Sequence, residues 1–163
     1  LYSSAWICIA MIVILLFYAF HSWVRFLATV LVLPVSILGG FLALLLTGEP
    51  FGFLPAVGLV ALFGIVINNA IYLISSIDIQ RKHYGLNVHD AVIQSVDEKI
   101  KPILISSLTT IVALIPLFFI TGDFWRGILS MLIGGVFFGL ISMLYIVPVM
   151  YVLFIKDDSP ITL

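Results

Sequence analysis

Residues 53–77 read FLPAVGLVALFGIVINNAIYLISSI, an unbroken run without Asp, Glu, Lys, Arg or His. A helix crosses a hydrocarbon core with about 20 predominantly apolar residues, so this stretch suffices for one crossing. It does not alternate polar and apolar side chains, as a membrane β-strand would over about ten residues. Four further stretches share its character, at 4–20, 26–47, 102–120 and 128–155, and none contains an ionisable Asp, Glu, Lys, Arg or His. With no water in the bilayer core, the backbone must satisfy its own hydrogen bonds, so each run is expected to be a helix. The expected fold is all-α: a polytopic membrane helical bundle of five transmembrane helices occupying 1–155, with a short tail at 156–163.

Composition agrees. Hydrophobic residues make up 63% of the chain and charged residues 9%, against about 25% charged in soluble domains. The solvent for most of this surface is therefore lipid. A formal net charge of −1 and the lack of a basic tract exclude nucleic acid as a partner. The one cysteine, Cys8, sits in an apolar run and has no second cysteine to pair with, so it reads as an inert buried thiol. The chain starts at Leu1, with neither a basic segment before the first apolar run nor a small-residue cleavage site after it. This reads as a piece of something longer, not as a signal peptide.

Sidedness follows from the connections. Segments 21–25, 48–52 and 121–127 are short; 78–101 is long and holds Arg81, Lys82, Lys99 and Lys101, four of the seven basic residues. Positively charged loops stay in the cytoplasm, which places 78–101 inside, the N-terminus outside and the C-terminal tail inside. Within 78–101, Asn87 and Asp90 have capping-box spacing, and Val88, Val92, Val96 and Ile100 recur every fourth residue. The expected element is an amphipathic helix over 88–100 lying along the inner membrane surface.

Polar residues inside apolar helices mark either function or packing. Asn68 falls roughly 22 Å along its helix, near mid-membrane. Ala61, Gly64, Asn68 and Ser75 share a face. In the fourth run Ser106, Ser107, Thr109 and Thr110 cluster, with Ser106 and Thr110 one above the other. The expectation is that the Asn68 and Ser106 faces look into a common interior. The same residues also read as ordinary packing glue, at about 0.6–2 kcal/mol per hydrogen bond. Gly39–Gly40 and Gly134–Gly135 read as helix contacts, and Pro34, Pro116 and Pro148 as kinks. No metal-ligand or nucleophile–base pattern is present, since His21, His83 and His89 are scattered in loops, so no cofactor, metal site or enzymatic activity is expected.

The ordered set of motifs resembles the RND (resistance-nodulation-division) efflux transporters. FGIVINNAI at 63–71 resembles their tenth membrane helix, and Asp90-Ala91 followed by KIKPILISSL at 99–108 looks like the start of the eleventh. VLPVSILGG at 32–40 looks like the ninth; Gly134-Gly135 and YIVPV at 145–149 resemble the twelfth. The first run would then be the eighth. The resemblance implies the C-terminal membrane half of a homotrimeric pump of the bacterial inner membrane. Its partners would be an N-terminal half with periplasmic porter domains, a periplasmic adaptor and an outer-membrane channel. It also implies an ion-coupling relay in which two aspartates on the fourth family helix titrate. Asn68 takes the place of the family's relay lysine, and Asn69 matches the asparagine after it. Lys99 takes the place of the relay arginine and Ser106 that of the relay threonine, with Ser107, Thr110 and Ser75 as a supporting polar face. Asparagine hydrogen-bonds a carboxylate but forms no ion pair with it, so Asn68 departs from the family pattern at the relay itself.

The implied function is export of hydrophobic or amphiphilic substrates driven by a proton gradient. The alternatives are a non-transport scaffold or lipid- or sterol-sensing bundle of related fold, or a lipid- or protein-export relative of the MMPL or SecD/SecF type.

Overall fold

The computed structural model describes residues 23–154 as four helices and the turns between them. They are α1 (Trp23–Thr47), α2 (Phe53–Tyr84), α3 (Val88–Ile120) and α4 (Asp123–Phe154). Each is long and apolar enough to cross a membrane. Four helices of the expected bundle are therefore present among the described residues, not five; the expected span at 4–20 lies outside them.

The helix ends are set by local chemistry. Gly48 adopts φ 73°, a left-handed conformation that costs glycine nothing. Its N–H donates to the Leu45 carbonyl at 3.4 Å and that of Glu49 to the Leu44 carbonyl at 3.1 Å, the bond pair of a Schellman stop. Pro50 then prevents continuation. The short turn 85–87 separates α2 from α3, and α2 ends with Arg81, Lys82 and His83 against the negative end of its dipole. Asn87 caps α3: its side-chain oxygen accepts from the Asp90 N–H at 2.8 Å, and its amide donates to the Asp90 carboxylate at 2.9 Å. At the far end of the molecule, Asp123 and Arg126 pair at 3.0 Å in the first turn of α4.

Two expectations are corrected here. The connection expected over 78–101 is reduced to the turn 85–87, because α2 continues to Tyr84 and α3 begins at Val88. The amphipathic helix expected over 88–100 is also not a separate surface helix. It is the first part of the 33-residue α3 and runs straight into the apolar stretch. The reason is burial. Val88, Ala91 and Val92 pack with Leu73, Ile74 and Ile77 of α2 and with Val147 and Tyr151 of α4 in one hydrophobic cluster. The apolar face thus finds protein instead of lipid. Pro102 removes one backbone donor but sits within the continuous helix, as do Pro34, Pro116 and Pro148 in theirs.

Helix α4 is the hub of the bundle and packs on the other three, most extensively on α1. Small residues allow this approach. A Cβ on Gly134 would collide with the Gly39 carbonyl oxygen and the Ala43 side chain, and one on Gly135 would run into Leu62. Gly39–Gly40 and Gly134–Gly135 are thus helix contacts. Between α1 and α4 the Thr47 and Ser130 hydroxyls also meet at 3.0 Å. At the end that holds the α2–α3 turn, the fully buried Tyr151 of α4 donates a short hydrogen bond to the Asp78 carboxylate of α2.

Candidate functional site

The polar residues of α2 fall on two faces. Ala61, Gly64, Asn68, Tyr72, Ser75 and Ile79 are all exposed, at spacings of three and four residues. They form one continuous open stripe along a helix. On the next face Leu62, Val66, Leu73, Ile77 and Gln80 are buried. Asn69, half-buried, lies between the two faces and donates from its amide to the Ser107 hydroxyl of α3 at 3.5 Å. Ser107 itself is buried.

The structure therefore brings together Asn69 and Ser107, each one residue beyond the pair expected to meet. Asn68 and Ser106 do not share an interior within this chain; both are exposed. One helical step rotates a side chain by about 100°, so neighbours in sequence cannot share a face. Ser106 contributes its carbonyl, which accepts from the Thr109 and Thr110 hydroxyls at 2.9 Å each. That back-bonding satisfies the hydroxyls locally without a neighbouring helix. Ser75 is exposed two turns from Asn68 on the same stripe.

Lys99 closes the site at the end holding the α2–α3 turn, ahead of the apolar run that starts at Pro102. Its ammonium lies 2.8 Å from the Glu98 carboxylate and 5.4 Å from the centre of the Tyr72 ring on α2. The second carboxylate oxygen of Glu98 accepts from the Gln80 amide at 2.9 Å, and Gln80 is buried. One carboxylate thus ties α3 to α2 and holds the lysine over an aromatic face, an arrangement favourable to a cation. The hydrogen bond from Lys99, and then its charge, hold the Glu98 carboxyl below the usual carboxylate range. The same hydrogen bond raises the Lys99 ammonium above its usual range, against the opposing effect of partial burial.

Glu98, Tyr72 and Gln80 are absent from the sequence-based site. Tyr72 was within reach of sequence reasoning, because it lies four residues after Asn68 on the same face. Glu98 had a weaker signal, its adjacency to Lys99. Gln80 had none, because its partner is eighteen residues away across a turn whose geometry the sequence leaves open. The Asp78–Tyr151 bond likewise spans 73 positions.

At the opposite end of the molecule, a groove of about 230 Å³ between α1, α3 and α4 is lined by Ala43, Thr47, Ile115, Phe118, Phe119, Ser130 and Ile133. It includes none of the site residues. Among the described residues, no group of three or more His, Cys, Asp or Glu could hold a metal ion.

Comparison with known proteins identifies the arrangement. The model of the AcrB/AcrD/AcrF family matches residues 2–155. Two crystal forms of a heavy metal efflux pump are similar in structure. One is 29% identical with a TM-score of 0.72, the other 27% identical with a TM-score of 0.75, and each match covers 88% of this chain. The chain spans only 14% of the length of those pumps. A family match over nearly the whole sequence, on a helical bundle similar in structure to a heavy metal efflux pump, makes this chain a member of the AcrB/AcrD/AcrF family of RND efflux transporters.

Proposed function

We propose that these helices are part of the membrane domain of an RND-type pump that couples an ion gradient, expected to be of protons, to export. One observation carries the reading: the polar and small residues of α2 point outward from the bundle. Asn68 and Ser75 sit with Ala61 and Gly64 on an open stripe, near the middle of a helix built to cross lipid. An amide left without partners in hydrocarbon costs roughly 2–7 kcal/mol. The stripe is therefore a surface for protein or for a wet pathway, and its small residues let another helix approach closely. Helices of the transporter beyond this chain would cover it and bring the titrating carboxylates that the family resemblance implies. Asn68 hydrogen-bonds such a carboxylate without neutralising it, and Lys99, over Tyr72 one turn from Asn68, supplies the cation.

The whole protein works as a homotrimer in the bacterial inner membrane, with periplasmic porter domains, an adaptor and an outer-membrane channel as partners and with the α2–α3 turn in the cytoplasm. Hydrophobic or amphiphilic compounds are the expected substrates. The heavy metal pumps similar to this chain add metal ions to the candidates. The test is Asn68→Leu in the full-length transporter, scored by cell susceptibility and by efflux of ethidium and of zinc ions. The expected result is loss of export with trimer assembly intact. Export at the wild-type rate would overturn the coupling role of Asn68, whereas a wild-type protein that exports neither probe would favour a scaffold or lipid-sensing bundle.

A further inference from the structure

Lys99 of α3 lies over Tyr72 of the open stripe on α2, yet its charge is already engaged. Glu98 uses both carboxylate oxygens, one on the Lys99 ammonium at 2.8 Å and one on the Gln80 amide at 2.9 Å. Gln80 is 5% exposed, so the anchor belongs to the packed interior of α2, while Glu98 itself is half-exposed. The ammonium rests over Tyr72, one helical turn from Asn68 on the same exposed face of α2. Lys99 is thus held over the Tyr72 position of the stripe by a carboxylate that is itself held from behind.

We propose that Glu98 is a positioning residue for ion coupling: anchored by Gln80, it keeps the Lys99 ammonium on Tyr72 and competes with any carboxylate that the rest of the transporter brings to the stripe. The inference rests on the coupling role given to this face above. An opposite charge within about 4–6 Å lowers a carboxyl pKa by about 1–3 units. When Glu98 holds the lysine, an arriving carboxylate feels less of that charge and takes up a proton more readily. When the carboxylate loses its proton it becomes the stronger competitor, and Lys99 turns toward it. Glu98 thereby sets the pH at which the site loads.

The other charged and titratable groups at this end do not replace it. On α2, Tyr72 and Gln80 face the pair, Asp78 is bonded by Tyr151 of α4, and the remaining charges, buried Arg81 and exposed Lys82, are cations that cannot hold an ammonium as Glu98 does. On α3 the sequence neighbours Asp97 and Lys101 are exposed. From α4, residues 127–154 contain no Asp, Glu, Lys, Arg or His, and neither do residues 26–47 of α1.

The experiment compares wild type, E98Q, E98D and K99M in the full-length reconstituted transporter, with export of ethidium and of zinc ions measured between pH 5 and 8. Glutamine keeps the size and the bond to Gln80 but releases the ammonium. A freed Lys99 stabilises the ionised form of the partner carboxylate, so more acid is needed to protonate it. The expected result is that the E98Q profile moves to lower pH by about 1 unit and that E98D restores the wild-type profile. K99M abolishes export. An inactive K99M with an unshifted E98Q profile overturns the role of Glu98 and leaves the coupling reading standing. A fully active K99M, or a wild-type protein that moves neither probe, overturns both.

Discussion

At Asn68 and Asn69 a turn of about 100° separates two environments: the first side chain is exposed and the second reaches Ser107. Their consequences for stability and function should differ accordingly. The Asn69–Ser107 bond, at 3.5 Å, is at the limit of hydrogen-bonding distance, and bonds of this kind in membrane bundles average about 0.6 kcal/mol. Asn69→Ala is expected to cost less than about 1 kcal/mol in thermal unfolding of the detergent-solubilised protein. Gly134 is a sharper case. Its place against the Gly39 carbonyl leaves no room for a side chain, and backbone cannot move aside as a flexible side chain can. Gly134→Val should lower stability by about 1–3 kcal/mol or more in the same assay; unchanged stability would mean that α1 and α4 are not packed as described. Tyr151→Phe removes a donor from the half-buried Asp78 carboxylate and is expected to cost about 1.5–3 kcal/mol, more than Asn69→Ala.

The identity of the helices was legible from the sequence because it depends on local composition. Runs such as 53–77 are apolar over a whole bilayer thickness, and no other structure satisfies their backbone. The α3 cap was legible for the same reason, since Asn87 and Asp90 interact within one turn. What the sequence did not show was the continuity of α3 through Pro102. Periodicity marks the apolar face of 88–100 but does not say whether lipid or protein covers it, and the answer is Ile74 and Ile77 of α2. Asn87→Ala should therefore do more than fray an isolated surface helix. It is expected to cost about 1 kcal/mol and to speed amide exchange in the first turn of α3 without affecting α1.

For the molecule as a whole, the candidate site was legible as residue types but not as geometry. Asn68, Asn69, Lys99 and Ser106 could be singled out by position. Which of them meet each other, and which face outward, depends on the rotation of α2 against α3, a tertiary quantity. The structure leaves Asn68 open on a bundle whose tightest contacts lie around α4, on the other side of α2. Sidedness has its own test. A cysteine at exposed Tyr84, chosen over Gly85 with its φ of 63°, should be labelled in intact cells by membrane-permeant reagents alone in a Cys8→Ser background. Labelling by an impermeant reagent would reverse the orientation.

The central claim is that the α2 stripe is a protein-covered coupling surface in the assembled transporter. The direct measurement is the oxygen collision rate of a spin label attached at Asn68→Cys in the full-length protein in bilayers, compared with a lipid-borne label at the same depth. A rate several-fold below that of the lipid label is expected, because another part of the transporter shields the site. Equal rates would place Asn68 against acyl chains, and the stripe would then be lipid-facing surface with no part in coupling.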